Sequence, residues 1–372
     1  MSGAARLAEI DRRLLELLSE RAALAARADA SDRAPDQSAA AASDGAPDGA
    51  GGPAAETAGL YRPERDAALL RELVAHNPGP LPDVAVRRVF VELLSACRAL
   101  ARATRVAYLG PEGTYSQAAA DAHFGHAVET LPERAIPDIF QAVEAGRADF
   151  GVVPVENSTE GAVNHTLDLL MTTHLRICGE VRLRIRHHLL SAAGSLAGVR
   201  SVHAHPQALA QCRLWLDAHL PGVERVAEDS NAAAARIALD APGAAAIAGA
   251  AAAERYGLAT LETGIEDVKT NTTRFLVMGD ADVPPSGDDT TSLLVSVSHR
   301  PGGLRRLLEP LEAAGLSMTR IESRPARSGL WEYVFFIDVA GHRDDPEMVE
   351  VLGRLAEEVP LVRVLGSYPK AA

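Results

Sequence analysis

Three short segments carry polar side chains of types that could bind and polarise an anionic substrate. They are YLGPEGTYSQAAA (108–120), VPVENSTEGAVNHTLDLL (153–170) and GIEDVKTNTTRFLVMG (264–279). Each lies where a pattern typical of a buried strand meets a turn or a helix, and in α/β proteins such positions line the ligand cleft. Hydroxyl, carboxamide and guanidinium groups favour a carboxylate substrate with an oxygen leaving group, because Arg can hold a carboxylate bidentately.

The first two segments also have a purely structural interpretation. Gly110 and Gly113 permit a tight turn, after which Thr114 and Ser116 lie where helix N-terminal amides favour a carboxylate or a phosphate. A Ser or Thr that caps the helix explains the same pattern. The polar run at 156–160 is equally typical of a cleft and of a polar helix cap. Spacing alone leaves both interpretations open.

The third segment places Asn271, Thr272, Thr273 and Arg274 at the entrance of a buried strand. A hydroxyl beside a guanidinium suits the predicted chemistry, but Thr is also a common strand former. The alternative of a plain strand start therefore stays open at this point.

No metal and no cofactor are predicted. The histidines that could ligate a metal are His187, His188, His203 and His205. No carboxylate or thiolate stands with them at a regular ligand spacing. The first segment lacks the Lys-Ser/Thr of a P-loop, and no GxGxxG follows it, which disfavours nucleotide binding.

The composition excludes several partner classes. The 372 residues carry a formal net charge of −13 and no long Lys/Arg run, which argues against a nucleic-acid partner. No stretch approaches the roughly 20 apolar residues needed to span a bilayer, and the charged, amphipathic start is unlike a signal peptide. The three cysteines form no CxxC, as expected of reduced thiols. We expect a cytoplasmic protein without membrane contact.

The N-terminal region has helical periodicity. Its first apolar stripe consists of Leu7, Ile10, Leu14, Leu17, Leu18 and Leu24. Residues 29–59, rich in Ala, Gly, Pro and Asp, predict a disordered loop, and helices are predicted at Pro63–Val74 and after Pro82. Residues 1–103 thus form an all-helical unit whose core is too small without a second copy.

The remainder predicts two further domains. From 105 to 280, short apolar runs that predict buried strands alternate with helical stretches such as Gln207–His219, which indicates α/β units with a largely parallel sheet and room for two lobes. The runs are RVAYLG, ADFGVVPV, IRHHLL, VRSVHAH, GAAAIAG and TRFLVMG. A Pro/Gly/Asp-rich linker follows at 281–292, and the pattern over 291–368 is β-α-β-β-α-β, the ferredoxin-like arrangement.

Four ordered motifs resemble the prephenate dehydratase family: GPEGTYSQAA, VPVENSTEG, HPQALAQC (205–212) and NTTRF (271–275). The resemblance implies a bilobal α/β fold like that of type II periplasmic binding proteins, and conversion of prephenate to phenylpyruvate, CO2 and water. It implies Thr273 as the catalytic hydroxyl, with Arg274 orienting a carboxylate or the site. The substrate-binding residues it implies are Thr114, Ser116, Asn157, Ser158, Thr159, His205, Gln211 and Asn271. Ala204 stands where the family usually has Ser.

The C-terminal region resembles an ACT regulatory domain through HRPGGL (299–304) and IESRP (321–325). This implies phenylalanine as an allosteric inhibitor, bound between paired domains. The residues implied are Gly302, Gly303, Leu304, Glu322, Ser323 and Arg324. A purely dimerising module is the alternative.

The N-terminal helices resemble an all-helical chorismate mutase, fused as in the bifunctional P-proteins. Arg21, Arg65 and Asp66 match expected positions, whereas Ala4, Asp32 and Ala101 replace an expected Arg, an expected Lys and an expected Gln or Glu. A carboxylate in place of a cation opposes binding of a dicarboxylate transition state, so little or no mutase activity is expected. A fully bifunctional enzyme, an arogenate dehydratase and a non-catalytic solute sensor are alternatives. A homodimer or homotetramer is expected.

Overall fold

The computed structural model describes residues 2–32, 61–297, 300–326 and 333–371, which form three units. The helical unit contains α1 (Gly3–Asp32), α2 (Pro63–Ala75) and α3 (Asp83–Ala101). Thus α1 extends to Asp32, past the predicted start of the loop at position 29, and the rest of that predicted loop lies outside the described residues, as does His299 of the HRPGGL motif.

The helical unit is joined to the next unit by an aromatic contact. Pro63 occupies the first turn of α2, where its missing N–H costs nothing. Just before it, the Tyr61 ring packs against Phe124 and Phe150, with centroids 5.1 and 4.7 Å apart. In contrast, the apolar stripe of α1 is left uncovered by the part of the chain that the structure describes: Leu7, Leu14 and Leu24 are 62%, 50% and 57% exposed.

The two-lobed unit spans residues 105–280. Its first lobe consists of β1 (Arg105–Leu109), α4 (Tyr115–Phe124), β2 (Glu129–Glu133), α5 (Ile136–Glu144), β3 (Phe150–Asn157), β4 (Gly161–Ala162), α6 (Asn164–Leu170), β5 (Arg176–Arg184) and β11 (Thr272–Gly279). The sheet order is β2-β1-β3-β11-β5. β2 and β3 run parallel to β1, whereas β11 runs antiparallel to both of its neighbours. The sheet is therefore mixed, where the sequence predicted a largely parallel one.

The second lobe is built from the segment between β5 and β11. It consists of β6 (His188–Ser191), β7 (Ser201–Ala204), α7 (Pro206–Gln211), α8 (Arg213–His219), β8 (Glu224–Ala227), α9 (Asn231–Asp240), β9 (Ala244–Ala248), α10 (Ala250–Tyr256) and β10 (Ala259–Glu262). The sheet order is β10-β6-β9-β7-β8. Because the chain enters at β6 and leaves after β10, two crossings connect the lobes.

The C-terminal unit has the predicted ferredoxin-like order. It consists of β12 (Asp289–Ser296), α11 (Gly303–Ala313), β13 (Met318–Pro325), β14 (Tyr333–Ala340), α12 (Pro346–Glu358) and β15 (Leu361–Pro369). Its antiparallel sheet has the order β13-β14-β12-β15, which leaves β13 at an edge. One face of this sheet packs on its own helices through Leu293, Ile337 and Met348.

The other face of the C-terminal sheet packs on the first lobe. Phe336, Leu365 and Tyr368 share one buried cluster with Leu276 and Met278 of β11. The backbones approach so closely that a Cβ at Gly366 would lie 2.2 Å from the carbonyl oxygen of Ile177. None of the helices in the described ranges is long and apolar enough to cross a membrane.

Candidate active site

The centre of the site is a hydrogen bond between two adjacent strands of the first lobe. Thr273 on β11 pairs with Asn157 on β3, and Asn157 Nδ2 donates to Thr273 Oγ1 at 2.8 Å. The amide oxygen of Asn157 accepts from the backbone N–H groups of Thr159 and Glu160, at 3.0 and 3.2 Å. Those groups can only donate, so the Asn157 oxygen must face them and its nitrogen must face Thr273.

This arrangement leaves the Thr273 proton available. A hydroxyl carries one proton and two lone pairs, and Asn157 uses only a lone pair of Thr273. No acceptor for the Thr273 hydroxyl is found within residues 61–297, and the residue is 8% exposed. The proton can therefore be donated to a ligand at the mouth of β11.

Polar side chains from both lobes close around this pair. Asn271, just before β11, accepts from Asn157 Nδ2 at 3.0 Å and donates to Gln211 Oε1 at 3.2 Å. Gln211, at the end of α7 in the second lobe, also donates to Thr159 Oγ1 at 3.2 Å. Ser158 Oγ accepts from the backbone N–H of Thr272 at 3.0 Å. The lobes thus meet through Gln211.

Two residues of this network were not predicted as site residues. His187 lies on the crossing between the lobes and contacts Gln211 Oε1 through Nε2 at 3.0 Å. Tyr115 OH lies 3.0 Å from His187 Nδ1 and donates to the carbonyl of Arg186 at 2.6 Å. Burial lowers the pKa of His187, against the hydrogen bond to Gln211, which raises it. This shift favours the neutral form of the ring.

Three predicted binding residues lie outside the network in this structure. Thr114 caps α4, because its hydroxyl accepts from the amide of Gln117 at 3.3 Å and donates to the carbonyl of Leu109 at 2.9 Å. His205 caps α7 in the same way, its Nδ1 accepting from the Gln207 amide at 3.3 Å. Ser116 is buried in the first turn of α4. For Thr114 the structure agrees with the helix-cap interpretation, and His205 has a capping contact that the sequence analysis did not consider.

Arg274 was predicted to orient a carboxylate or the site, and its hydrogen bonds in the structure go to groups outside the network. Successive side chains on a strand point to opposite faces, so Arg274 faces away from Thr273. Its guanidinium donates to Glu180 at 2.7 Å, to Asp338 at 2.5 Å and to Tyr368 OH at 2.9 Å. Arg274 therefore contacts the C-terminal unit and not the cleft.

The residues expected to bind phenylalanine lie on two elements of the C-terminal unit. Gly302 has a left-handed backbone (φ 78°) at the start of α11, followed by Gly303 and the exposed Leu304. On the edge strand β13, Ser323 is exposed, whereas Arg324 donates to Asn164 at 2.8 Å and to Asp168 at 2.6 Å. Glu322 lies 3.9 Å from the Arg320 guanidinium. Arg324 and Glu322 thus face the two-lobed unit.

In the helical unit, two of the three matched residues lie near each other. Asp66 on α2 pairs with Arg98 on α3, a buried cation that the sequence did not single out. Burial raises the pKa of Asp66, while Arg98 and Arg21 oppose that shift. Arg21 on α1 donates to Cys97 Sγ at 3.3 Å, and Arg65 lies on the exposed side of α2.

Comparison with known proteins gives matches along nearly the whole chain. The family model for chorismate mutase type II matches residues 4–102, that for prephenate dehydratase matches 106–283, and that for the ACT domain matches 291–357.

Two full-length relatives carry the same name, bifunctional chorismate mutase/prephenate dehydratase. The protein from Stutzerimonas stutzeri is 50% identical over 98% of this chain and 96% of its own length. The protein from Pseudomonas aeruginosa is 48% identical with the same coverage. Among solved structures, the prephenate dehydratase of Arthrobacter aurescens in complex with L-Phe aligns with a TM-score of 0.67 and 36% identity, over 72% of this chain and 90% of its own.

Proposed function

This chain belongs to the family of bifunctional chorismate mutase/prephenate dehydratases and is a prephenate dehydratase, and we propose that its reaction takes place in the network around Thr273. The observation that carries this placement is the Thr273 hydroxyl, which accepts from Asn157 and keeps its own proton for a ligand. A non-catalytic sensor has no need of such a donor beside a ring, and the relatives named above are enzymes.

The proposed mechanism uses that proton at the leaving oxygen. The bond from the ring to its carboxylate breaks and releases CO2, its electrons enter the ring, and the C–O bond to the ring hydroxyl breaks. Thr273 donates a hydrogen bond to the departing oxygen, which leaves as water with a proton supplied from solvent. In many enzymes, donors aimed at developing negative charge lower the barrier more than any other effect.

The side chains of both lobes would hold the substrate. Asn157, Ser158, Thr159, Gln211 and Asn271 supply amide and hydroxyl groups, which contact one another in the structure. Binding between the lobes fixes the ring against Thr273, and such positioning alone can supply several kcal/mol of the barrier, about 7 or more at best. The amino-bearing analogue arogenate remains the alternative substrate.

We further propose that the helical unit is an active chorismate mutase. The sequence predicted weak or absent activity from Ala4, Asp32 and Ala101, but full-length relatives at 50% and 48% identity are named bifunctional. Arg21 and Arg98 near Asp66 supply cations of the kind that a dicarboxylate transition state requires. We infer that a second copy covers the exposed stripe of α1 and completes this unit.

For regulation, we propose that phenylalanine binds the C-terminal unit and inhibits the dehydratase. The ACT match over 291–357 and the L-Phe complex of the Arthrobacter relative support this. The left-handed Gly302 lets backbone amides approach a carboxylate. We also infer that the units act as domains with the predicted bounds 1–103, 105–280 and 291–368.

One set of assays tests these proposals. Purified protein is mixed with prephenate, arogenate or chorismate, with and without phenylalanine, and phenylpyruvate, phenylalanine and prephenate are quantified. We expect phenylpyruvate from prephenate, prephenate from chorismate, and less phenylpyruvate when phenylalanine is added. If kcat/KM is greater for arogenate than for prephenate, arogenate is the substrate. If chorismate gives no prephenate, the prediction of a weak or inactive mutase stands.

A further inference from the structure

Directly behind the proposed catalytic pair lies a square of four charged side chains. Arg274 and Glu156 are cross-strand neighbours on β11 and β3, one position along from the pair formed by Thr273 and Asn157. On the C-terminal sheet, Asp338 on β14 and Arg320 on β13 are likewise cross-strand neighbours.

Two ion pairs connect the units within this square: in one the first lobe supplies the cation, and in the other the C-terminal unit supplies it. Arg274 Nη1 donates to Asp338 Oδ2 at 2.5 Å, and Arg320 Nε donates to Glu156 Oε2 at 2.7 Å. Thr273 on β11 and Asn157 on β3 lie on one face of the first-lobe sheet. The adjacent residue on each strand, Arg274 or Glu156, lies on the other face and binds the C-terminal unit.

The Arg274 corner is buried and saturated with partners. Its side chain is 12% exposed, and those of Glu180 and Asp338 are 0% and 7% exposed. Tyr368 OH accepts from Arg274 at 2.9 Å and lies 2.7 Å from Ser292 Oγ, which donates to the second oxygen of Asp338 at 2.5 Å. Every partner is itself held in place, so the guanidinium has one position.

We propose that Arg274 is a positioning residue, through which Asp338 and Tyr368 of the C-terminal unit fix Thr273 against Asn157. Hydrophobic contacts already join the two units, with Phe336 and Leu365 buried against β11. Buried ion pairs add little net stability to such a core, because desolvation offsets their attraction. What they add is a defined orientation, because the planar guanidinium fixes the relative positions of the groups that it joins.

A consequence follows for the reaction. Movement of the C-terminal sheet pulls on β11 and β3 at adjacent points and changes the distance between Thr273 and Asn157. The C-terminal unit is therefore part of what sets kcat, even with no effector bound. This inference rests on the proposed placement of the reaction at Thr273.

The test is Asp338→Asn in the full chain. The substitution keeps the shape of the side chain and removes one of the two carboxylates that hold Arg274. We expect kcat for prephenate to fall about 10- to 100-fold, the size expected for a misplaced catalytic group, with KM within about twofold. Tyr368→Phe removes the hydroxyl that accepts a hydrogen bond from the same guanidinium, and it should lower kcat by a smaller factor.

The matched control is Asp282→Asn. Asp282 also joins the two units, accepting from Arg343 at 2.9 Å, but it is half exposed and lies in the linker after β11. We expect its kcat to equal that of the unsubstituted chain. Both variants are measured at a temperature where circular dichroism shows them folded, so that loss of fold is not counted as loss of turnover.

Each outcome decides between the two roles. A lower kcat in Asp338→Asn and Tyr368→Phe, with Asp282→Asn unchanged, supports positioning. If the first two variants lose only thermal stability and keep kcat, Arg274 is a structural link and the proposal is overturned. The unsubstituted chain is assayed in parallel, and no phenylpyruvate from it would contradict the proposed function itself.

Discussion

Replacing Thr273 by Val removes the hydroxyl on which the mechanism depends and preserves the shape of the side chain. In the structure that oxygen accepts from Asn157 Nδ2 at 2.8 Å, while the same nitrogen has a second acceptor in Asn271 Oδ1 at 3.0 Å. The variant therefore leaves one N–H of Asn157 without its nearest acceptor and removes the proton that would reach the leaving oxygen.

These two losses have different sizes. A partly buried N–H deprived of its acceptor costs about 1–3 kcal/mol of folding free energy. Removing a donor from a developing oxyanion costs about 100- to 1000-fold in kcat, which corresponds to about 3–4 kcal/mol. KM should change little, because Asn157, Gln211 and Asn271 still hold the substrate.

The assay is steady-state release of phenylpyruvate from prephenate, together with urea unfolding. The control is Thr166→Val: Thr166 is a fully buried threonine in the same unit whose hydroxyl donates to the carbonyl of Pro154 at 2.6 Å. It should lose comparable stability and keep kcat. A Thr273→Val enzyme with kcat within about threefold of the parent would refute the assignment.

Three further predictions concern the fold and the assembly. Gly366→Ala should destabilise the protein by about 1–3 kcal/mol through overpacking against β5, whereas Gly353→Ala, in the open middle of α12, should stabilise it by about 0.5–1 kcal/mol. Burial lowers the pKa of His123 from 6.5 to about 4. Between pH 6.5 and pH 4 the His123 ring binds a proton in the unfolded chain but not in the folded one. The free energy of unfolding therefore decreases as the pH falls, by up to about 3 kcal/mol, and His123→Gln should remove this pH dependence. Leu14→Glu should dissociate the proposed oligomer, and Leu214→Glu, at a similarly exposed position on α8, should not.

Each of these has a decisive measurement. Urea unfolding compares the two glycine variants, and equal free energies of unfolding would mean that β15 and β5 can separate at no cost. Parallel stability curves for the parent and His123→Gln from pH 7 to pH 4.5 would show that the ring titrates normally in the folded chain. Light scattering gives the oligomer masses, and a Leu14→Glu protein of unchanged mass would place the interface elsewhere.

The neighbourhood of Asn157, Asn271 and Thr273 could be predicted because it depends on a general rule, whereas Gln211, at the end of a helix in the second lobe, was implied only by the family resemblance. Residues just past the ends of adjacent strands meet at one edge of a sheet whatever the details of packing. Tyr115 and His187 could not be found in this way. Their contact joins residues 72 positions apart across the crossing between the lobes, and no local pattern encodes it.

Other predictions failed for reasons that can be identified. The strand Arg176–Arg184 was missed because charged residues interrupt its apolar ones, and the structure shows why: Glu180 binds Arg274 at the contact with the C-terminal unit. The single helix predicted over Gln207–His219 is two helices that meet at Cys212. For the strand, the tertiary neighbour that Glu180 binds is absent from any local pattern.

The placement of Arg274 bears on the chemistry as well as on the fold. A guanidinium on the ring carboxylate would stabilise the anion that has to leave as CO2, and an interaction stronger in the ground state than in the transition state slows a reaction. The network around Thr273 instead offers amides, hydroxyls and a His187 whose pKa burial lowers. Neutral donors can orient the carboxylate and still release it. The strand places the cation one residue further on and on the opposite face, where it can fix Thr273 without holding the group that departs.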